Sequence, residues 1–283
     1  MTLFLFALMP SLNEAAEVIQ EADALLICAG AGMGVDSGLP DFRGNEGFWK
    51  AYPPYAKRGL GFTDMANPGW FQREPELAWG FYGHRLHLYR ETNPHIGFDI
   101  LRQWGEGMKK GHFVFTSNVD GQFQKAGFSD NRIIECHGSI HHFQCIDDCG
   151  NPIFSSDGFD VEVNEETMLA KQPLPTCPSC GGLARPNILM FGDWGWDSSR
   201  NEVQSSNYQE WLESLNGGKL VVVECGAGTA VPTVRYQSEQ IARSFNGTAI
   251  RINLREPQIN PPNISLSAGA AEALQQINSL LNK

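Results

Sequence analysis

The sequence predicts an α/β protein built on a doubly wound parallel sheet, with a second, smaller module inserted into it. Three observations lead to this fold class: short apolar runs recur along the chain, helical or irregular stretches separate them, and several of them end in glycine or polar residues. Parallel strands need crossover connections, so separated apolar runs favour a parallel sheet that helices cover on both faces.

The N-terminal part of the chain is predicted to form a helix and the first strand. Residues 1–10 are apolar, but no basic residue precedes Arg43, so we interpret them as a buried strand or the start of a helix rather than a signal peptide. Residues 13–22 have helical periodicity, and residues 24–29 read Ala-Leu-Leu-Ile-Cys-Ala, which is typical of a strand buried on both faces.

The insertion and the remaining strands follow in order. Residues 45–69 are rich in glycine, proline and aromatic residues and lead into a helical stretch at residues 74–92. Four further apolar runs are predicted strands: 112–116, 133–136, 220–224 and 249–253. Ligands of doubly wound sheets bind beyond the carboxyl ends of the strands, so we expect the loops after these runs to converge on one crevice.

Composition excludes several classes of protein. The formal net charge of −11 disfavours a nucleic-acid binder, which needs a basic face to displace counterions from phosphates. No apolar run approaches the roughly 18 residues that a membrane-spanning helix needs. Seven cysteines are an odd number, and four of them have a metal-like spacing, which favours a reducing cytoplasm over a disulfide framework. The sequence leaves the oligomeric state open.

Four cysteines form the strongest local pattern in the chain. Cys145 and Cys149 make a C-x3-C pair, and Cys177 and Cys180 make a C-x2-C pair. Four thiolates complete a tetrahedral zinc site with no open position for water, which predicts one structural zinc per chain. The alternatives are four unrelated buried thiols, or a redox pair formed by the second two cysteines. The other three cysteines lie near predicted strand ends and are interpreted as small core residues.

These elements predict two domains made of several segments. We assign residues 1–44, 99–140 and 186–283 to the sheet domain. Residues 45–98 form the helical part of the small domain, and residues 141–185 form its zinc-ribbon part.

A glycine loop follows the first predicted strand. Gly30-Ala31-Gly32-Met33-Gly34 resembles a dinucleotide site, although its third glycine comes one position early for the usual spacing. Glycines let backbone N–H groups approach a pyrophosphate, and a following helix would add its positive dipole end. Residues 36–44 contain a proline and two glycines and are predicted to be a loop, with Asp41, Phe42 and Arg43 facing a nicotinamide ribose. The alternative is a rigid proline turn with a surface salt bridge.

Together these residues resemble the sirtuin family of NAD-dependent protein deacylases, in its bacterial form. The likeness rests on five motifs that occur in the family's order: Gly30-Ala31-Gly32 with Ser37-Gly38-Leu39-Pro40-Asp41-Phe42-Arg43-Gly44, Asn118-Val119-Asp120-Gly121 with Ala126-Gly127, Glu135-Cys136-His137-Gly138-Ser139, the two cysteine pairs, and Arg185-Pro186-Asn187-Ile188-Leu189-Met190-Phe191-Gly192-Asp193. These motifs span nearly the whole chain.

The resemblance implies a Rossmann-like NAD-binding domain and a small zinc and helical module, with NAD and an acyl-lysine peptide meeting between them. Asn118 and Asp120 would line the nicotinamide pocket, and Asn253 would bind the adenosine ribose. The full set of cofactor residues that it implies is Gly30, Ala31, Gly32, Asp41, Phe42, Arg43, Ser117, Asn118, Asp120, Gly226, Ala227, Gly228 and Asn253.

The catalytic residues implied by the resemblance are His137 and Asn118. The acyl oxygen would attack the anomeric carbon of the nicotinamide ribose, nicotinamide would leave, and His137 would then remove a ribose hydroxyl proton. An imidazole with a pKa of about 6.5 suits that step at neutral pH. Without the resemblance, His137 is either a general base or a structural histidine.

Two segments are expected to bind the substrate. The resemblance implies that Phe191, Gly192 and Asp193 pair with the substrate backbone as an added strand. Tyr82 and Arg85 form a Tyr-x-x-Arg pattern similar to that of sirtuins that remove succinyl or malonyl groups, and a guanidinium with a phenol can bind an acyl carboxylate. The alternative is an amphipathic helix on which Tyr82 and Arg85 only pack and contact solvent.

Three positions depart from the family pattern. Ser117 stands where the family usually has Gln, Gly226-Ala227-Gly228 replaces Gly-Thr-Ser, and Gly34 replaces Ser. These changes leave two alternatives open besides deacylation. One is a mono-ADP-ribosyltransferase or NAD hydrolase on the same scaffold, and the other is a non-catalytic NAD or ADP-ribose sensor.

Overall fold

The computed structural model describes the backbone of residues 2–40 and 44–283 and the side chains of residues 11–40 and 47–283. Its strands, in chain order, are β1 (Ala24–Ala29), β2 (His112–Thr116), β3 (Ile133–Glu135), β4 (Gly138–Cys145), β5 (Phe154–Ser155), β6 (Val163–Asn164), β7 (Leu169–Ala170), β8 (Ala184–Ile188), β9 (Leu220–Cys225), β10 (Thr248–Ile252) and β11 (Ile264–Leu266).

The α-helices are α1 (Thr2–Glu21), α2 (Gly44–Ala51), α3 (Pro53–Lys57), α4 (Phe62–Met65), α5 (Trp70–Arg73), α6 (Pro75–Glu91), α7 (Ile96–Gly107), α8 (Gln122–Lys125), α9 (Ser199–Ser214), α10 (Thr233–Ser244) and α11 (Ala270–Leu281). Two 3-10 helices cover Ala31–Ser37 and Asp130–Arg132. Because α1 begins at Thr2, the first interpretation of the opening segment, a buried strand, is wrong.

Six strands form one parallel sheet in the order β11-β10-β9-β1-β2-β3. The chain builds outward from β1 to β2 and β3 on one side, then returns to build β9, β10 and β11 on the other. This order confirms the predicted doubly wound sheet and places its switch point between β1 and β9. The predicted bounds of β1 and β2 match the structure, those of β3 and β9 differ by one residue at one end, and those of β10 differ by one residue at both ends.

Alternate residues of each central strand enter two different cores, which explains why the strands read as continuous apolar runs. In β1, Leu25 and Ile27 face the core shared with α1, α7 and α11. Leu26 and Cys28 face the opposite core, shared with α9 and α10. Helices on both faces therefore bury the central strands β1 and β9 along their whole length.

A third core lies outside the sheet and joins two segments that are distant in the sequence. The helices α2 to α6 contribute residues such as Phe48 and Trp79, and the strands of the cysteine-containing segment contribute residues such as Phe143 and Val161. The rings of Trp79 and Phe143 lie edge to face with centroids 5.1 Å apart. The two inserted segments thus share one apolar core, while the exact domain boundaries given above stay a prediction.

Within residues 2–40 and 44–283, no helix has both the length and the apolar character required to cross a bilayer.

Candidate active site

Two glycine loops meet at the switch point of the sheet. The N–H of Gly30 donates to the carbonyl of Cys225 at 3.0 Å, and the N–H of Gly32 donates to the carbonyl of Gly226 at 3.0 Å. Gly226 has a φ of +64°, and a Cβ on it would lie 2.2 Å from the backbone nitrogen of Met33. Only glycine fits this close approach, which joins the loop after β1 to the loop after β9.

The loop after β2 is tied to the first glycine loop. Asn118 is buried, and its Nδ2 donates to the carbonyl of Gly30 at 3.0 Å. Two residues on, the Asp120 carboxylate accepts the N–H of Gln122 at 3.0 Å. Burial raises the pKa of Asp120 to about 6, although the hydrogen bond from Gln122 opposes this shift. An amide and an easily protonated carboxyl group thus lie side by side at the sheet edge.

His137 follows β3 and is fixed by its backbone. Its carbonyl accepts the N–H of Leu189 at 3.0 Å. The next residue, Gly138, has a φ of +75°, and a Cβ there would lie 2.1 Å from the carbonyl oxygen of Asn187, so glycine is needed for the approach of β4 to β8. Burial lowers the pKa of His137, opposed by a hydrogen bond with the Ser117 backbone. The imidazole is therefore neutral at pH 7 and able to accept a proton.

These loops enclose one cavity of about 780 Å³. The predicted site residues that line it are Gly30, Ala31, Tyr82, Arg85, Ser117, Asn118, Asp120, His137, Phe191, Ala227 and Gly228. The structure thus brings the glycine loops, the imidazole and the Tyr-x-x-Arg pattern into a single crevice. Asp41, Phe42 and Arg43, which are also predicted cofactor residues, lie outside the described residues.

Five predicted site residues do not line the cavity. Gly32 and Gly226 form the contact between the glycine loops, and Gly192 turns the backbone with a φ of +67°. The Asn253 side chain donates to the carbonyl of Ala227 at 2.8 Å and accepts the N–H of Arg255 at 3.1 Å and of Glu256 at 3.0 Å. The fifth of these residues is Asp193. Direct contact of any of the five with a cofactor or substrate stays a prediction.

The segment Phe191–Asp193 divides into an exposed and a buried part. Phe191 has 44% of its surface exposed at the cavity edge, and its N–H donates to the carbonyl of Ala66 at 2.9 Å. The Asp193 carboxylate instead points inward and pairs with both terminal nitrogens of Arg185, at 2.6 and 2.9 Å. Phe191 is therefore available to a ligand, whereas Asp193 holds the loop together.

The part of the cavity next to α6 contains a buried cation surrounded by aromatic rings. Arg85 is 6% exposed, and its guanidinium carbon lies 5.1 Å from the ring centre of Phe81 and 5.9 Å from that of Tyr82. The Tyr82 hydroxyl is buried and has no hydrogen-bond partner among the residues that the structure describes. Tyr82 and Arg85 therefore do not form the solvated helix face that the alternative interpretation predicts.

The four cysteines converge at the end of β4. The sulfurs of Cys145 and Cys180 are 3.6 Å apart, as are those of Cys149 and Cys177, and all four lie within 4.8 Å of one another. Four bonds of about 2.3 Å in a tetrahedron put the sulfurs about 3.8 Å apart, so this donor set fits a zinc ion. The cluster is separate from the cavity, which agrees with a structural rather than a catalytic metal.

Comparison with known proteins identifies the family. The model of the Sir2 family matches residues 30–215, more than half of the 283-residue chain. This chain belongs to the Sir2 family. The match includes the first glycine loop, the loop after β2, His137 and the four cysteines. The resemblance inferred from the motifs is therefore confirmed.

Two relatives and one solved structure illustrate the likeness. The NAD-dependent protein deacylase of Pyrococcus furiosus is 32% identical over 270 residues, which covers 94% of this chain and 96% of that protein. The NAD-dependent protein deacylase of Aquifex aeolicus is 33% identical over 169 residues, which covers 60% of this chain and 62% of that protein. The structure named "Crystal structure of a Sir2 homolog-NAD complex" has a TM-score of 0.68 at 23% identity and covers 95% of this chain and 93% of that chain. It shows the same fold.

Several residues of this Sir2 site were not predicted from the sequence. Tyr89, Phe62 and Thr63 line the cavity from the small module, and Arg255 and Glu256 line it from the loop after β10. For Tyr89 a signal was present, because it lies four residues after Arg85 and hence on the same face of a helix. Phe62 and Thr63 lie in the one-turn helix α4, and Arg255 and Glu256 lie in a loop, where spacing gives no comparable signal.

Proposed function

We propose that this Sir2 protein is an NAD-dependent protein lysine deacylase that produces nicotinamide and O-acyl-ADP-ribose. The observation that carries this proposal is the shared cavity, in which His137, Asn118 and the two glycine loops face the same space. The names of the Pyrococcus furiosus and Aquifex aeolicus relatives support the same activity.

The cavity residues fit a dinucleotide. Backbone atoms at Gly30, Ala31 and Gly228 offer close approach to phosphates, and Asn118 with Asp120 offers polar groups for a carboxamide. Bound NAD would supply the ribosyl carbon that accepts the acyl oxygen as nicotinamide leaves. We assign Asp41, Phe42, Arg43 and Asn253 to this site as well, on the family pattern.

His137 acts as the general base in this proposal. Its lowered pKa keeps the ring neutral, so a ring nitrogen can take the proton from a ribose hydroxyl. Gly138 and the hydrogen bond from the Leu189 N–H hold the His137 backbone at the cavity wall. Asn118, held by the Gly30 carbonyl, positions the reacting end of the cofactor.

The substrate enters past Phe191. We propose that the exposed backbone at residues 191–193 pairs with the extended peptide, which places a modified lysine in the cavity. Main-chain pairing tolerates many sequences, so selectivity would come from the acyl group rather than from flanking residues.

Arg85 and Tyr82 extend the proposal to acidic acyl groups. A buried guanidinium beside an unpartnered phenol hydroxyl is suited to a carboxylate, as in succinyl- or malonyl-lysine. Arg85→Met should lower kcat/KM for a succinyl peptide by about 100-fold and leave the value for an acetyl peptide within about threefold. Arg73→Met is the matched control, because Arg73 lies on the surface against Trp70.

The zinc site has a structural role in this proposal. Cys145, Cys149, Cys177 and Cys180 hold one ion that supports the segment of residues 141–185, and residues 45–98 pack on it to complete the small domain. Thiolate ligands persist in reducing compartments, which leads us to propose the cytoplasm as the location.

One assay tests the proposed function. The protein is incubated with NAD and peptides that carry acetyl-lysine, succinyl-lysine or unmodified lysine, and the nucleotide product is identified by mass. We expect nicotinamide, deacylated peptide and O-acyl-ADP-ribose in equal amounts, and only with acylated peptides. Nicotinamide release that does not depend on the acyl group would instead indicate ADP-ribosyl transfer or NAD hydrolysis.

A further inference from the structure

Tyr89 lies on the same face of α6 as the Tyr-x-x-Arg pattern. Residues 82, 85 and 89 are separated by three and four positions, which places their side chains in one row along a helix. All three line the cavity, and their exposed fractions are 1% for Tyr82, 6% for Arg85 and 5% for Tyr89. The family pattern names only the first two residues of this row.

The Tyr89 hydroxyl contacts one particular edge of the guanidinium. The Arg85 Nε donates to the Tyr89 oxygen at 3.0 Å, and the Arg85 Nη2 donates to the same oxygen at 2.7 Å. One phenol oxygen therefore occupies the Nε–Nη2 edge. A carboxylate that pairs with Arg85 through two parallel bonds must then use the Nη1–Nη2 edge.

The hydrogen bonds to Tyr89 also leave the positive charge of Arg85 available to attract an anion. Burial raises the pKa of Tyr89, so its hydroxyl stays neutral and accepts hydrogen bonds without cancelling the positive charge of Arg85. The ring of Tyr89 lies with its centre 5.3 Å from the guanidinium carbon, and that of Phe81 at 5.1 Å. Aromatic faces stabilise a cation and exclude water from it, which strengthens its attraction for a carboxylate.

We propose that Tyr89 is a positioning residue for acidic acyl groups. It turns the Nη1–Nη2 edge of Arg85 toward the acyl carboxylate, which also receives the hydroxyl of Tyr82. This inference rests on the proposed deacylase function and extends it by one residue. Tyr89 acts through Arg85 and has no role with an acyl group that lacks a carboxylate.

Tyr89→Phe tests the proposal, because it removes the oxygen and keeps the ring. A hydrogen bond to a charged group is worth a factor of about 10–100, so we expect KM for a succinyl-lysine peptide to rise by about that factor. We expect kcat to change little and kcat/KM for an acetyl-lysine peptide to stay within about twofold of the wild-type value. Tyr89→Met fills similar space without an acceptor and should behave in the same way.

Two further variants separate positioning from general stability. Tyr55→Phe is the matched control, since Tyr55 is buried in the same module, outside the cavity, and its hydroxyl donates to the Met168 carbonyl. It should leave both acyl activities unchanged. In an Arg85→Met background, Tyr89→Phe should cause no additional loss of desuccinylation, because the group it positions is gone.

The possible results distinguish this inference from the function on which it rests. If the wild type removes succinyl groups and Arg85→Met prevents it, but Tyr89→Phe changes nothing or lowers both activities equally, the role of Tyr89 is wrong. The same holds if Tyr89→Phe weakens desuccinylation further in the Arg85→Met background. If the wild type removes only acetyl groups and Arg85→Met has no effect, the proposed acyl preference fails and this inference fails with it.

Discussion

The ion pair between Arg185 and Asp193 provides a sharp test of how the substrate loop is held. The side chains are 4% and 1% exposed, and two parallel hydrogen bonds of 2.6 and 2.9 Å join them. The Asp193 carboxylate also accepts the backbone N–H groups of Met190 and Gly195, each at 3.3 Å. This carboxylate therefore satisfies four donors around the loop that follows β8.

Asp193→Ala should lower the free energy of unfolding by about 3–5 kcal/mol, because it leaves the Arg185 charge buried without a partner. The double variant Arg185→Met, Asp193→Leu should cost less than the single one, since no uncompensated charge remains. Urea unfolding followed by tryptophan fluorescence measures the free energy of unfolding of both variants. The urea midpoint should shift, and the dependence of that free energy on urea concentration should stay unchanged.

Peptide kinetics on the same variants decide whether Asp193 also touches the substrate. If its role is structural, Asp193→Ala should raise the KM for an acyl peptide, and the double variant should return the KM most of the way to the wild-type value. A cost below about 1 kcal/mol for Asp193→Ala would refute the reasoning from burial, since that is the range of exposed pairs.

Three other predictions follow from single groups. Cys145→Ser should abolish binding of about one zinc per chain and unfold the small module, whereas Cys136→Ser, outside the cluster, should keep the metal; metal analysis and circular dichroism check both. Asp120 has a pKa raised from 3.8 to about 6, so the folded state binds its proton more tightly and stability falls as the pH rises through that window. Asp120→Asn should remove this pH dependence and raise the free energy of unfolding above pH 7 by about 3 kcal/mol, measured by urea unfolding across pH. Because burial lowers the pKa of His137, the acidic limb of kcat/KM should fall below pH 6.5, and a limb above pH 7 would contradict a neutral base.

The parts of the fold that are buried on both faces were predictable from the sequence. The strands β1 and β2 appear as unbroken apolar runs because helices cover both sides, so local composition alone marks their limits. By contrast, α9 was not predicted, because most of its residues are polar. Even its buried residue Gln204 is polar, and its side chain accepts a hydrogen bond from the N–H of Glu135 in β3. The short edge strand β11 has only three residues, too few for a periodic signal.

The candidate site likewise contains residues whose positions were predictable from the sequence and residues whose positions were not. Polar residues after predicted strands, such as Asn118 and His137, were placed correctly in one crevice because parallel strands end at the same edge of the sheet. The inward orientation of Asp193 was not predictable, since it depends on the exact position of Arg185. Asn253 does not line the cavity because its amide joins two loops, a tertiary contact that spacing does not reveal.

The most direct test of the account is a comparison of His137→Ala with the wild type in two assays. We predict that NAD affinity stays within about threefold while turnover of an acyl-lysine peptide falls by about 10²–10⁴-fold, the usual contribution of a general base. Turnover comparable to that of the wild type would contradict the assignment of His137 as the base in this cavity.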